Sequence, residues 1–462
     1  MEKYRKCIAF HNLGCKVNAY EMSAMMLAFE QAGYTIVPFE GPADIYVVNT
    51  CSVTNIADRK SRQMLHRAAK QNPDAIIVAV GCYVQAAYED LKKDPLVHVI
   101  VGNNRKADIV SIVEKYMSEL PEKQESEKPT LVDVLDIAHE TCYENMEVDA
   151  SSSRSRAYIK IQDGCNMFCT YCIIPLTRGR IRSRAVSDIL SEAERLAAQG
   201  VVEIVLTGIH VSSYGRDWKQ SGETGAAGVS PLLSLLKRLQ AVPGIERIRL
   251  SSLEPRIVTP EFAAELKKLT KVCPHFHLSL QSGCDATLKR MNRRYTAEEY
   301  ANCCKLLRTV YDRPAITTDV IVGFPGETEE EFAQTVRYLE EINLYEMHVF
   351  KFSPRKNTPA AKMPGQLTEA VKADRSDVLM EMSERHSRAY REAFAGETLE
   401  VLIEESLPID GREYYVGFTK NYIRVAVPAE ENPLAVNALA EVTLTAVPVG
   451  TDCVLGQLRV LA

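Results

Sequence analysis

Cys165, Cys169 and Cys172 stand in a C-x3-C-x2-C spacing inside Asp163 to Arg184, DGCNMFCTYCIIPLTRGRIRSR, with Tyr171 just before the last sulfur and Pro175 ending the excursion. Three thiols this close have few chemical uses. A closed structural zinc site needs a fourth protein ligand, and no Cys or His follows at finger spacing. A disulfide would leave one sulfur over. Three thiolates on a four-iron cluster leave one iron open, and an open iron can chelate the amino and carboxylate groups of S-adenosylmethionine (SAM) and pass an electron to it. A zinc site or incidental core cysteines is the alternative.

Three further cysteines matter by their placement. CIAF (7–10), DIYVVN (44–49) and AIIVAV (75–80) read as short apolar strands, alternating with helical patterns at 18–33 and 55–72. Such alternation predicts a parallel sheet with covering helices. Cys15, Cys51 and Cys82 each fall in the loop after one of these strands. Loops beyond the carboxyl ends of parallel strands converge on one edge, where ligands bind. Three thiols from three loops can meet there; small buried residues at tight turns is the plainer account.

At 462 residues the chain predicts two to four domains, since domains run to roughly 100–200 residues. A composition of 46% hydrophobic and 25% charged residues is that of a globular protein and excludes a disordered one. No apolar run of membrane-spanning length occurs, and MEKYRKCIAFHNLGC lacks a signal-peptide core, so a cytoplasmic location and no membrane partner are expected. Thirteen scattered cysteines, an odd number, make no disulfide framework. A net charge of -6 argues against a uniform nucleic-acid-binding coat but leaves room for local basic patches.

The boundaries read as an N-terminal α/β domain over 1–120, a linker over 121–156 (PEKQESEKP and SSSRSR, with LVDVLDIA between), a core over 157–395 and a small β module over 396–462. In the core, AYIKI, VEIVLTG, RIRLSS, HFHLSL, ITTDVIVG and LYEMHVFKF alternate with helices, which fits a partial (β/α)6 barrel with the first cysteine loop at its mouth. Polar and glycine-rich strand ends supply candidate SAM contacts: Thr207, Gly208, Ser252, Glu254, Gln281, Val322 and Gly323, with Tyr171 beside the last cysteine. Each is separately also an ordinary turn. The final 65 or so residues carry short β-rich runs that predict a small barrel, in which Lys420 and Tyr422 are candidates for single-stranded RNA, although tyrosines are common on strands. Arg178, Arg180, Arg182 and Arg184 alternate after the cysteine loop, and Lys351 and Arg355 lie near the last core strand. Beside the mouth, Arg178, Arg180, Arg182, Lys351 and Arg355 are RNA-phosphate candidates, with a solvated charged loop as the alternative and a cofactor carboxylate as another target for Arg184. Cys7, Cys142, Cys273, Cys284, Cys303, Cys304 and Cys453 are read as structural.

Taken together, the Cys15/Cys51/Cys82 domain, the Cys165/Cys169/Cys172 core and the terminal barrel resemble the radical SAM methylthiotransferases over nearly the whole chain, and the terminal module is similar to their TRAM domain. The resemblance implies a second four-iron cluster on Cys15, Cys51 and Cys82, hence two [4Fe-4S] clusters and SAM. It also implies a tRNA anticodon stem-loop as partner and a low-potential electron donor of the flavodoxin or ferredoxin kind. GCKVN (14–18), IIPLTRGRIRSR (173–184) and LSSLEP (250–255) look most like the branch that converts N6-threonylcarbamoyladenosine at tRNA position 37 to its 2-methylthio derivative. The isopentenyladenosine branch has a GCQMN-like first motif and the ribosomal-protein branch a GCPKN-like one. The implied chemistry suits an aromatic C–H bond, which a 5′-deoxyadenosyl radical can attack and an acid/base pair cannot. No general base is therefore assigned, and Asn18, Asn49 and Thr50 are candidates for orienting cluster sulfurs.

Overall fold

In the computed structural model, residues 6–119, 130–150, 155–218, 230–430, 435–448 and 450–459 are described. The PEKQESEKP segment and residues 151–154 of the expected linker lie outside them. Strands β1 (Cys7–Asn12), β2 (Thr35–Val37), β3 (Ile45–Thr50), β4 (Ile76–Gly81), β5 (Val99–Val101) and β6 (Leu131–Asp133) form one sheet in the order β2-β1-β3-β4-β5-β6. Every pairing in it is parallel. Helices α1 (Lys16–Gln31), α2 (Asn55–Gln71), α3 (Cys82–Leu91) and α4 (Ile109–Glu119) complete this part. Both faces of β3 and β4 are buried: Ile45, Val47, Ile76, Val78 and Val80 enter one core cluster, while Tyr46, Val48, Ile77 and Ala79 enter another. This two-sided burial explains why the strands read as unbroken apolar runs. LVD, expected in a linker, instead supplies the edge strand β6, paired in register with β5.

The second part begins with β7 (Arg156–Asp163), then α5 (Ile174–Thr177), β8 (Arg182–Ser183), α6 (Val186–Ala198), β9 (Glu203–Gly208), α7 (Pro231–Leu239), β10 (Arg247–Leu250) and α8 (Pro260–Lys267). It continues through β11 (His275–His277), α9 (Asp285–Arg290), α10 (Ala297–Val310), β12 (Ala315–Val322), α11 (Glu329–Ile342), β13 (Glu346–Lys351) and α12 (Glu369–Glu392). The sheets β10-β9-β7-β8 and β11-β12-β13 meet through parallel bridges Ile248–Val272 and Leu253–Leu278. Six parallel strands thus make the expected open, TIM-like barrel, and β8 is an antiparallel addition on β7. Capping boxes start two of its helices: Thr296 with Glu299 at α10 and Thr328 with Glu331 at α11. Ile159, Ile204, Leu206, Ile248, Phe276, Ile316 and Val320 pack outward under these helices, so the alternate residues line the lumen.

Strands β14 (Thr398–Ile409), β15 (Arg412–Thr419), β16 (Arg424–Pro428), β17 (Leu439–Ala446) and β18 (Val454–Leu458) close into a barrel in the order β14-β15-β16-β18-β17. It sits against the base of the larger barrel. Arg247 donates to the Phe418 carbonyl at 2.8 Å, Arg249 to the Lys420 carbonyl at 3.0 Å, and Arg156 pairs with Glu404 at 2.8 Å. No described helix is long and apolar enough to cross a membrane.

Candidate active site

The parallel sheet places the first cysteine triad on one edge. Cys15 occupies the N-cap position of α1, Cys51 follows β3 directly, and Cys82 opens α3 as β4 ends. Two glycines let these loops close. A Cβ on Gly14, at φ +109°, would stand 3.0 Å from the Cys51 Cβ, and one on Gly81, at φ +100°, would stand 2.6 Å from Asn49 Oδ1 and 2.7 Å from the Thr50 carbonyl. Burial, then the neighbouring Cys82 and Cys15 sulfurs, push the Cys51 thiol up to about 12. Asn103 Nδ2 lies 3.7 Å from Cys82 Sγ and donates to the Thr177 carbonyl at 2.7 Å, so one amide touches this triad and the α5 helix that follows the other triad.

The second triad lies in the loop leaving β7. Burial, reinforced by Cys169, raises Cys165 to about 11 and Cys172 to about 12. The loop is pinned at several points: Cys165 N–H donates to the Gly179 carbonyl, Cys172 N–H to the Cys169 carbonyl, and Asn292 to the Phe168 carbonyl, all at 3.0 Å. Arg293 Nη1 donates to Cys169 Sγ at 3.3 Å. A cation on a thiolate favours the charged sulfur that a metal needs.

A buried charge cluster joins the two loops. Glu21 of α1, 1% exposed, receives Arg178 Nη1 and Lys160 Nζ at 2.7 Å each and is also bonded by Lys106. Asp163 takes Lys160 at 2.6 Å and Arg178 at 3.1 Å, and its Oδ1 accepts the Gly164 N–H at 2.8 Å. Arg178 Nη2 donates to Asn18 Oδ1 at 2.7 Å, and Asn18 Nδ2 donates to the carbonyls of Leu13 at 2.6 Å and Thr50 at 3.1 Å. The chain of contacts therefore runs from the backbone beside Cys15 and Cys51 to the backbone beside Cys165. Burial alone would raise the Glu21 carboxyl; Arg178, Lys106 and Lys160 reverse this and hold it well below the carboxylate range.

Residues 159–339 match the Radical SAM superfamily, and residues 7–102 match the Uncharacterized protein family UPF0004. The chain is 40% identical to the threonylcarbamoyladenosine tRNA methylthiotransferase MtaB of Bacillus subtilis, over 92% of this chain and 91% of that one. It is 38% identical to the MtaB of Aquifex aeolicus, over 90% and 96%. The chain belongs to the radical SAM methylthiotransferases. A tRNA-2-methylthio-N(6)-dimethylallyladenosine synthase of Moorella thermoacetica is 35% identical to it over 87% and 88% of the two chains. Among solved structures, a radical SAM methyltransferase, TsrM, of Kitasatospora setae shares the fold at 16% identity, TM-score 0.54, over 88% of this chain and 81% of that one.

Two [4Fe-4S] clusters and SAM are the cofactors of this methylthiotransferase, and its residues fit them. All six loop cysteines are free thiols, and burial together with neighbouring sulfurs raises Cys51, Cys165 and Cys172, which a bound cation relieves. Glu254, 2% exposed, keeps Oε2 buried with no partner while Arg256 holds Oε1 at 2.6 Å, leaving an acceptor for an ammonium or a ribose hydroxyl. Thr207, Gly208, Ser252, Glu254, Gln281 and Gly323 all stand at or just beyond the carboxyl ends of β9, β10, β11 and β12. Ser252 Oγ is 2.7 Å from Ser279 Oγ, Gly323 N–H donates to Glu327 at 2.7 Å, and Gln281 adopts φ +75°. Tyr171 packs edge-on to Phe324 at 6.4 Å beside the loop. Val322 differs: its side chain enters the helix-side core, so only its backbone faces the mouth.

The basic residues need correction. Arg178 and Arg182 are fully buried: Arg178 is held by Glu21 and Asp163, and Arg182 by the Arg178 carbonyl at 3.0 Å. Arg184 is also buried and bonds Glu192 at 2.6 Å, which leaves it no cofactor carboxylate to reach. Arg355 is a buried strut to Asn55 at 2.6 Å, Ser52 at 2.8 Å and Asp58 at 2.5 Å. Tyr422 stacks on His275 at 4.3 Å and Phe418 at 4.8 Å, inside the contact between the two barrels rather than on an open strand face. Lys420 is half-buried, with Glu400 3.6 Å away. Arg180, over the exposed Phe168 ring at 4.5 Å, and Lys351 remain at the surface. Sequence reading missed Glu21, Asn103 and Arg293. None carries a motif of its own, and each acts only through a partner far along the chain.

Proposed function

We propose that this methylthiotransferase acts on tRNA carrying N6-threonylcarbamoyladenosine at position 37 and places a methylthio group on C2 of the adenine. The relatives named for that reaction support the substrate. The observation that carries the reaction type is the pair of cysteine triads, Cys15/Cys51/Cys82 and Cys165/Cys169/Cys172, held against each other through Asn103, Asn18 and Arg178. Each triad would hold one [4Fe-4S] cluster with an iron left free. The bound groups supply reductive cleavage of SAM at the core site and sulfur delivery at the other.

The protein's own part is placement and charge. Arg293 sets its guanidinium against the Cys169 sulfur, and Glu254 offers its unpaired oxygen to the SAM ammonium or ribose. Gly208 and Gly323 leave room for Gln162 and the Lys372 stem to pack against the strand ends, and Tyr171 with Phe324 forms an apolar wall there. Arg178 ties Asn18, beside the first triad, to Asp163, beside the second. Arg180 and Lys351 are the candidate phosphate contacts. The reductant is a low-potential flavodoxin-like or ferredoxin-like protein.

Mass spectrometry of nucleosides from cells with and without the gene tests substrate and reaction together. Loss of 2-methylthio-N6-threonylcarbamoyladenosine, with accumulation of its unmodified precursor, is expected in a strain with no second enzyme for that position. An unchanged level there would refute the reading.

A further inference from the structure

The lumen of the larger barrel carries a donor set that neither cysteine triad uses. On β11, Phe276 points to the helix-side core, as do Ile316, Val320 and Met347 on β12 and β13, so His277, Asp319 and His348 point inward. Register makes them neighbours: His277 pairs with Thr317, and Asp319, two residues farther along the same face, pairs with His348. One donor atom from each residue lies within 4.8 Å of the other two. His277 Nδ1 is 3.0 Å from Thr317 Oγ1, and its Nε2 is 3.3 Å from Asp319 Oδ2, with the His348 ring centred 5.7 Å from the His277 ring. An imidazole whose second nitrogen is anchored presents the first in a fixed direction, as metal-binding histidines do.

We infer that His277, Asp319 and His348 bind a divalent, borderline-soft transition-metal ion of the zinc class. Two imidazoles and one carboxylate suit such an ion, and three protein ligands leave it coordinatively open toward the lumen. Strands rather than loops carry all three ligands, so closing from 4.8 Å to bonding distance takes side-chain rotation only. Asp319 also sits one position below the bridge between Gln281 and Val320, which puts the ion just beneath the residues assigned to SAM. The competing account is a simple His277–Asp319 pair, in which His348 has no part.

The test uses cluster-loaded protein, so that all six loop cysteines are occupied. Anaerobic protein is mixed with one equivalent of zinc and desalted; zinc and iron are then measured by elemental analysis, and the zinc K-edge absorption is recorded. About one zinc per chain is expected, with nitrogen and oxygen neighbours at about 2.0–2.1 Å and no sulfur. His348→Ala and Asp319→Asn should each lower retained zinc at least about tenfold at unchanged iron content. His348 is exposed, so its replacement does not threaten the fold and decides the matter if Asp319→Asn protein loses iron as well. No retained zinc, sulfur in its shell, or equal retention by His348→Ala overturns the assignment.

Discussion

Arg178, Arg180 and Arg182 alternate in one short run, yet their environments are opposite. The outer two are buried among carboxylates and carbonyls, whereas Arg180 is exposed over Phe168. If Arg180 touches phosphate, Arg180→Ala will lower the slope of log affinity against log salt for tRNA by about 0.7–0.9, the release of one counterion, while Arg182→Ala will leave the slope alone. Equilibrium binding over a salt series reads both. Glu21→Ala removes the anion shared by Lys106, Lys160 and Arg178, and breaking a buried pair of this kind costs about 3–5 kcal/mol. A denaturant melt of the variant should show that loss. The sequence could not reveal this cluster, because Glu21 and Arg178 are 157 positions apart and each looks like a surface charge in its own helix or loop. Cys165, Cys169 and Cys172 were legible because sulfur at such spacing has so few other uses, whereas Cys15, Cys51 and Cys82 were legible only from their place after three strands and through the family resemblance.

At the level of elements, the N-terminal site depends on where strands stop. β4 hands directly to α3 at Cys82, and the turn between them requires the positive φ of Gly81. Gly81→Ala would drive a Cβ into Asn49 and the Thr50 carbonyl, displacing the segment before Cys51. Iron after anaerobic reconstitution should fall from about eight to about four per chain, with SAM cleavage at the core triad retained. Apolar runs buried on both faces revealed β1, β3 and β4, and the alternation of strand-like with helical stretches located five of the six barrel strands within a residue or two. HFHLSL was overextended, for pairing along β11 ends at His277, where the chain turns to pair through Leu278 and Gln281 as isolated bridges. β2, β5, β6 and β8, of two or three residues each, were invisible because so short a segment has no periodicity to read.

Across the whole molecule, the contacts that hold the parts together are arginine-rich and buried. Glu203, at the base of the larger barrel, faces Arg249 at 2.8 Å, Arg247 at 3.8 Å and Arg156 at 4.0 Å, and the same arginines grip the terminal barrel. Burial would raise its carboxyl, but Arg249 and then Arg156 hold it below the usual value. A carboxyl depressed in the folded state contributes stability above its unfolded value of about 4.3, and that contribution is lost as pH falls through and below it. Cleavage between the two barrels by an acid-active protease should therefore rise below about pH 4.3, and Glu203→Gln should bring the same release at neutral pH with little further pH dependence. The expectation that the terminal barrel offers Tyr422 to RNA failed for a related reason: that face is already engaged by His275 and Arg249. The Glu21 cluster also sets an order of events during synthesis. Glu21 and Lys106 leave the ribosome well before Lys160 and Arg178, so the nascent N-terminal half has one of its three cations in place and Asn18 Oδ1 without its guanidinium donor. The backbone beside Cys15 and Cys51 gains that donor only once the core loop has been made, so completing the first cysteine edge depends on synthesis of the second.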